Sequence, residues 1–277
     1  MPSDFSSISR SEILTQPKAW SYNQEHITIP DHIRLIASNT FSKKNKIQTV
    51  SFPPGLTAIY EGAFRQCFSL KEIHLPSNLK ILEKETFANC PNLKAVTIPG
   101  GIAELQQNMF YEDKKLRQVI FSPDSQLTRI HFSAFYECNS LENIELPSSL
   151  KIIDERAFYR CKSITKIDFP KNLTHIGKKA FYFCSLHTLT LPDSLEYLGD
   201  GAFFRCNHLT EVSLPTSIKY IGHKAFRGCN RLNTLEIRHD PQFIGEHIIN
   251  HSAVIRCYKN SSVDEYCKLN NFSTEYI

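Results

Sequence analysis

Apolar positions return along this chain in a fixed order: a leucine, then two hydrophobic residues in alternation with polar ones, then proline, as in Leu70, Ile73, Leu75 and Pro76 or Leu209, Val212, Leu214 and Pro215. The alternation predicts a short strand of about three to five residues. Ile73 and Leu75 share one side while Glu72 and His74 share the other, and the proline, with no N–H to give to a ladder, ends the strand. A second apolar pair follows, such as Leu79 and Leu82 or Leu173 and Ile176, and after it a small residue and a phenylalanine. These side chains must also turn inward. The phenylalanines Phe41, Phe64, Phe87, Phe110, Phe135, Phe158, Phe181, Phe203 and Phe226 stand 22 to 25 residues apart, and 23 is the usual step.

One such unit has too little apolar surface to fold alone, so it must stack on copies of itself. The pattern therefore predicts an α/β repeat solenoid: a curved array of about ten 23-residue units, with short parallel strands on one face and turns or short helical turns on the other. At about 4.8 Å between neighbouring strands, ten rungs span on the order of 45 Å. The ends of such an array expose apolar edges unless covered. Residues 1–22, which carry Trp20, are expected to cap the first rung, residues 23–256 to form the solenoid and residues 257–277 to close it, giving a monomer.

The full pattern L-x-x-I-x-L-P-x-x-L-x-x-I-x-x-x-A-F-x-x-C resembles the BspA-like (Treponema pallidum-type) leucine-rich repeats, over about residues 25 to 256. The tail "VIRCYKNSSVDEYCKLNNFSTEYI" is similar to the segment that closes such arrays. The resemblance implies a recognition scaffold, often on a cell surface.

Composition narrows the partner. Hydrophobic residues make up 41% and charged residues 22%, which is enough for a core and too balanced for a disordered chain. A net charge of +4, with both signs mixed along the length, gives no basic face, and no basic-aromatic interleaving is present, so nucleic acid is not expected as a partner. No stretch approaches the roughly 18 to 20 apolar residues that cross a bilayer, so no membrane insertion is expected. "MPSDFSSISRSEILTQPKAW" lacks the basic and apolar regions of a secretory signal. The expected location is cytoplasmic, with export to the surface by a non-classical route as the alternative.

Candidate chemistry is sparse. Seven of the nine cysteines (Cys67, Cys90, Cys138, Cys161, Cys184, Cys206 and Cys229) stand three residues after a repeat phenylalanine, so the repeat explains them. Their 22- to 25-residue spacing, counting the gap left by Asp113, is not that of a zinc site, whose ligands come in pairs about two to four apart. Neighbouring rungs bring them within reach of a disulfide, but an odd column of parallel side chains fits small buried hydrophobes better. Asp113 takes the cysteine place in "MFYEDKKL", which predicts a locally different, more exposed rung. Cys257 and Cys267 lie off the repeat, and with His247 and His251 they are the one place where a catalytic site is conceivable, while His239, His247 and His251 come closest to a metal cluster. No glycine-rich phosphate loop, paired carboxylates or nucleophile elbow appears. No cofactor, metal or enzymatic activity is expected.

Function then rests on outward columns. The strand face reads polar and mildly acidic, without an aromatic residue, as in Glu72/His74, Lys166/Asp168 and Thr234/Glu236. Just before the strand, Lys71, Lys94 and Arg117 follow one another on consecutive rungs, either as a solvated edge neutralised by Glu72 and its neighbours or as a patch for an acidic partner. Directly after the repeat phenylalanine stand Tyr111, Tyr136, Tyr159, Tyr182 and Phe204. This column either covers the turn or forms a recognition stripe. The expected function is a non-enzymatic protein-protein interaction scaffold that binds a protein partner through these positions, with a surface adhesin or host-interaction factor as the alternative.

Overall fold

The computed structural model describes residues 8–277, so residues 1–7 of the expected 1–22 cap lie outside the described residues. Each unit contributes three lines of hydrogen bonds to the unit before and after it. The first line is the ladder of proline-ended strands. His26–Thr28, Thr49–Ser51, Glu72–His74, Ala95–Ile98, Gln118–Phe121 and Asn143–Ile144 form a six-stranded parallel sheet in which each residue faces its repeat equivalent, Ile73 against Val96 and Val96 against Val119. Glu211–Leu214, Thr234–Ile237, Val254–Cys257 and Ser273–Tyr276 form a second, four-stranded sheet. Between the two the ladder is interrupted over two units, around residues 166–168 and 188–190, the second of which is one residue short because only Ser185 separates Cys184 from Leu186. One bond, His187 N–H to the Thr165 carbonyl at 2.9 Å, still joins the rungs there.

The second apolar pair forms a strand of its own, which the sequence reading assigned to the turn side. Eleven two-residue strands run from Ile13–Leu14 to Phe243–Ile244, in parallel sheets of four and seven. Most pairs bury one side chain and leave the other partly exposed, while Leu35–Ile36 and Ala58–Ile59 bury both, and stacking pairs their amides with carbonyls of the adjacent rung. The two sheets separate between Ile81–Leu82 and Glu104–Leu105.

The third line runs through the turns. Asn39, Phe41 and Lys43 donate their N–H groups to the carbonyls of Glu61, Ala63 and Arg65 at 2.8 to 2.9 Å, and the pattern repeats down to Lys224 and Phe226. It requires two left-handed residues per rung. In one rung these are Arg156 (φ 56°) and Arg160 (φ 59°), in the next Lys179 (φ 54°) and Phe183 (φ 61°). Such φ values cost about 1 kcal/mol or more for a residue with a Cβ, and the ladder bonds on both sides offset that cost.

The nine phenylalanines form one spine, each fully buried, with ring centroids 5.0 to 5.8 Å apart and planes within 6 to 18°. Beside it runs the cysteine column. All nine cysteines are free and buried, and the seven of the repeat each donate Sγ–H to the carbonyl of the preceding rung's phenylalanine at 3.0 to 3.2 Å. Small size and a weak donor thus both suit this corner.

The family of contacts corrects the expectation for Asp113, which is fully buried rather than exposed. The neighbouring rungs hold their spacing through the spine, so the carboxyl is drawn into the cysteine column. One oxygen accepts the Cys90 N–H at 2.6 Å and the other has no partner. At the amino end Ile13–Leu14 already pairs with Leu35–Ile36. Tyr22 meets Phe41 edge-on at 5.7 Å, while Trp20 stands 83% exposed. At the other end the helix Ser262–Asn270 is capped by Ser261 Oγ, which accepts the Asp264 N–H. Buried Asp264 accepts from Asn260 N–H and Lys268 Nζ, which hold its carboxyl below the usual carboxylate range.

Asp113→Cys is expected to raise stability at neutral pH by about 1–3 kcal/mol, because it removes a buried oxygen without a partner and restores a thiol donor. Burial pushes the Asp113 carboxyl well up, so the folded state holds its proton more tightly than the unfolded state. Wild-type stability is therefore present in full below the unfolded value of about 4 and declines as pH rises above it. Urea unfolding of both proteins at neutral pH and at about pH 3.5 checks this: the gap between them should shrink in acid.

Candidate interaction surface

The residue after each core phenylalanine lies in the turn line between two left-handed positions, which aims its side chain outward along the flank of the spine. Tyr111, Tyr136, Tyr159, Tyr182 and Phe204 consequently stack on one another, with centroid separations of 4.7, 4.8, 4.6 and 5.1 Å and planes within 7°. All five are half-buried. Ring faces are spent on ring faces, and what solvent meets is a continuous rim of edges and hydroxyls. Burial pushes the hydroxyls of Tyr111, Tyr136 and Tyr159 upward, so the rim carries protons to donate at any physiological pH. Guanidinium groups border it: Arg160 lies over the Phe183 ring at 6.0 Å and Arg205 over Phe204 at 5.6 Å.

Lys71, Lys94 and Arg117 are joined through their backbones, Lys94 N–H to Lys71 O at 3.0 Å and Arg117 N–H to Lys94 O at 2.8 Å. All three are exposed. Lys71 Nζ donates to Gln48 Oε1 at 2.7 Å, and none of the three forms an ion pair among the described residues. Glu72 makes no ion pair with them either, among the described residues. The two candidate surfaces occupy different parts of the array and share a single unit, the one that holds both Tyr111 and Arg117.

The outward side of the second strands carries two further groups that the sequence reading passed over. Towards the middle, Arg129 makes a two-pronged contact with Asp154 at 2.8 and 2.9 Å, and His131 lies between Glu104 (2.8 Å) and Asp154 (3.4 Å). The His131 hydrogen bond holds the Glu104 carboxyl below its usual range. Further on, His175, Tyr197, Tyr220 and Phe243 form a second aromatic ladder at 5.6, 4.7 and 4.5 Å. Each member is followed two residues later by glycine (Gly177, Gly199, Gly222, Gly245), and a Cβ on Gly222 would run into the backbone of Gly199 and Asp200. The recurring H-I-G, Y-L-G, Y-I-G and F-I-G triplets were the signal, hidden because that pair was read as turn.

The carboxy-terminal group does not assemble as a reactive centre. Cys257 and Cys267 are fully buried, and burial pushes the Cys267 thiol up to about 12. His251 stacks on Phe272 at 4.6 Å, and His247 is exposed. Among the described residues no three His, Cys, Asp or Glu side chains are grouped to hold a metal, and no helix is long and apolar enough to cross a membrane.

Thiol reactivity gives a direct check. Burial raises Cys67 and Cys229 to about 12 as well. Alkylation by iodoacetamide at neutral pH is expected to be roughly a thousandfold slower in the folded protein than in urea, where all nine thiols react. A fast-reacting thiol in the folded state, located by mass spectrometry, would contradict the buried column.

With the geometry established, the likeness to known proteins is specific. The profile of the BspA type leucine rich repeat region matches residues 18–130 and 128–256, in six copies. A leucine-rich repeat protein from Bacteroides ovatus superposes with a TM-score of 0.63 at 22% identity, over 86% of this chain and 72% of its own. The leucine-rich repeat protein of T. pallidum is 26% identical with a TM-score of 0.46, over 73% of this chain and 84% of its own. A leucine rich cell surface protein from Faecalibacterium prausnitzii is 20% identical with a TM-score of 0.43, over 93% and 80%. No curated protein matches the chain. This chain is a parallel-strand solenoid of about 11 turns with little helix, a leucine-rich repeat fold.

Proposed function

This chain belongs to the BspA-type leucine-rich repeat family, and from that premise we propose that it is a non-enzymatic scaffold that binds a protein partner through outward-facing repeat positions. Leucine-rich repeat proteins in general are interaction scaffolds or surface proteins. The observation that carries the reading to particular residues is the column Tyr111–Tyr136–Tyr159–Tyr182–Phe204. Its rings are already locked against one another, so a partner that meets the rim does not have to order them, and association loses less side-chain entropy than it would on a flexible surface. Tyrosine and arginine, the residue types found here, are those most often dominant in binding energy. The buried thiols and the ion-paired His131 speak against a cysteine nucleophile and against His131 as a free base.

The test separates packing from recognition. A triple variant Tyr136→Phe, Tyr159→Phe, Tyr182→Phe keeps every ring in the stack and removes only hydroxyls, so its melting temperature should match the wild type. Wild-type protein immobilised in native lysate is expected to retain a specific partner, and the triple variant to bind the purified partner at least about tenfold more weakly, or 1.4 kcal/mol. Undiminished binding removes the column from the interface. Substrate turnover that is abolished by mutating one small residue set would overturn the non-enzymatic reading.

A further inference from the structure

The aromatic column ends in a cleft of about 410 Å³ whose lining includes Phe183, Phe204, Arg205, Asn207, Arg227 and Gly228 and no acidic residue. Arg227 holds the column position next after Phe204, and Arg205 holds the left-handed position beside that ring. Arginine occupies the same two positions elsewhere in the array, and there the chain supplies a carboxylate: Arg65 pairs with Glu85 at 3.0 Å and Arg160 with Glu137 at 2.9 Å. At the cleft the equivalent places are filled by His247 and Phe183, and neither Arg205 nor Arg227 has an ion pair among the described residues.

Two details show that the cleft has room for these cations and a use for them. A Cβ at Gly228 would come within 2.7 Å of Arg205 Cγ, so glycine there admits the arginine side chain. The Arg205 guanidinium, seated over the Phe204 ring at 5.6 Å, keeps its N–H edge free for a planar oxyanion. Asn207 stands in the wall of the cleft with its Oδ1 buried and without a partner, as Asn139 Oδ1 is at the equivalent place of an earlier rung.

We propose that this cleft is an oxyanion site for a carboxylate, sulfate or phosphate group, and that an acidic side chain of a protein partner supplies it. The proposal deepens the scaffold reading and rests on it only for the source of the anion.

The test is a titration of the full chain, followed by arginine Nε–H NMR signals, with inorganic phosphate and with a blocked Asp-Glu-Phe-Asp peptide, at ionic strength held constant with chloride. The signals of Arg205 and Arg227 are expected to move saturably with both. Arg205→Gln and Arg227→Gln should each weaken binding at least about tenfold with an unchanged melting temperature, while Arg231→Gln, exposed on the last turns, should leave it intact. Shifts that grow linearly and equally at Arg117, Arg231 and the cleft arginines mean general screening and overturn the site, as does their absence. Peptide binding tighter than phosphate supports a protein source. Phosphate binding tighter than the peptide keeps the oxyanion site and overturns the protein source, an outcome separate from any loss of partner capture.

Discussion

The structure depends on one contact repeated: a phenylalanine ring laid on the phenylalanine ring of the next unit, 5.0 to 5.8 Å away. That separation is set jointly by ring thickness with its offset and by the strand spacing of the ladders. When both agree, every other position of the unit must also meet its own copy. Cysteine then meets the carbonyl of the previous rung, left-handed residues follow left-handed residues, and surface side chains line up in columns. The register is therefore both the source of stability and the device that turns a single outward residue into an extended surface.

Much of this was legible in the sequence, and the parts that were not have physical reasons. The proline-ended strands could be read because residues such as Glu72, Ile73 and His74 alternate over enough length to mark two faces. The second strands could not, since a pair such as Ile152–Ile153 is too short to show a period. The left-handed positions were equally hidden. Glycine would announce them, yet Glu137, Arg160 and even Phe183 occupy them, because hydrogen bonds to both neighbouring rungs override local preference. Asp113 misled for a related reason: a polar residue in a core column is expected to leave the core, but its rung is held between two others that do not move.

The candidate surfaces show the same division. The columns that hold Tyr136 and Lys94 were found by aligning units, and alignment alone could not say that the tyrosine faces are closed to solvent or that the lysine edge forms no ion pairs among the described residues. The group of Arg129, His131 and Asp154, and the cleft at Arg205 and Arg227, depend on which rungs are adjacent and on what is missing from them. Departures from a repeat carry information only once the places they depart from are known in space.

The two interruptions of the ladders fall at different heights. The first-strand ladder opens after Asn143–Ile144, the second-strand ladder between Ile81–Leu82 and Glu104–Leu105, and at both levels the turn line and the phenylalanine spine continue unbroken. The openings are offset like the joints in brickwork, so no cross-section of the molecule is severed on more than one side. At each of those levels fewer hydrogen bonds cross from one rung to the next, on a different flank each time, while the stacked rings and the turn bonds carry the register across both.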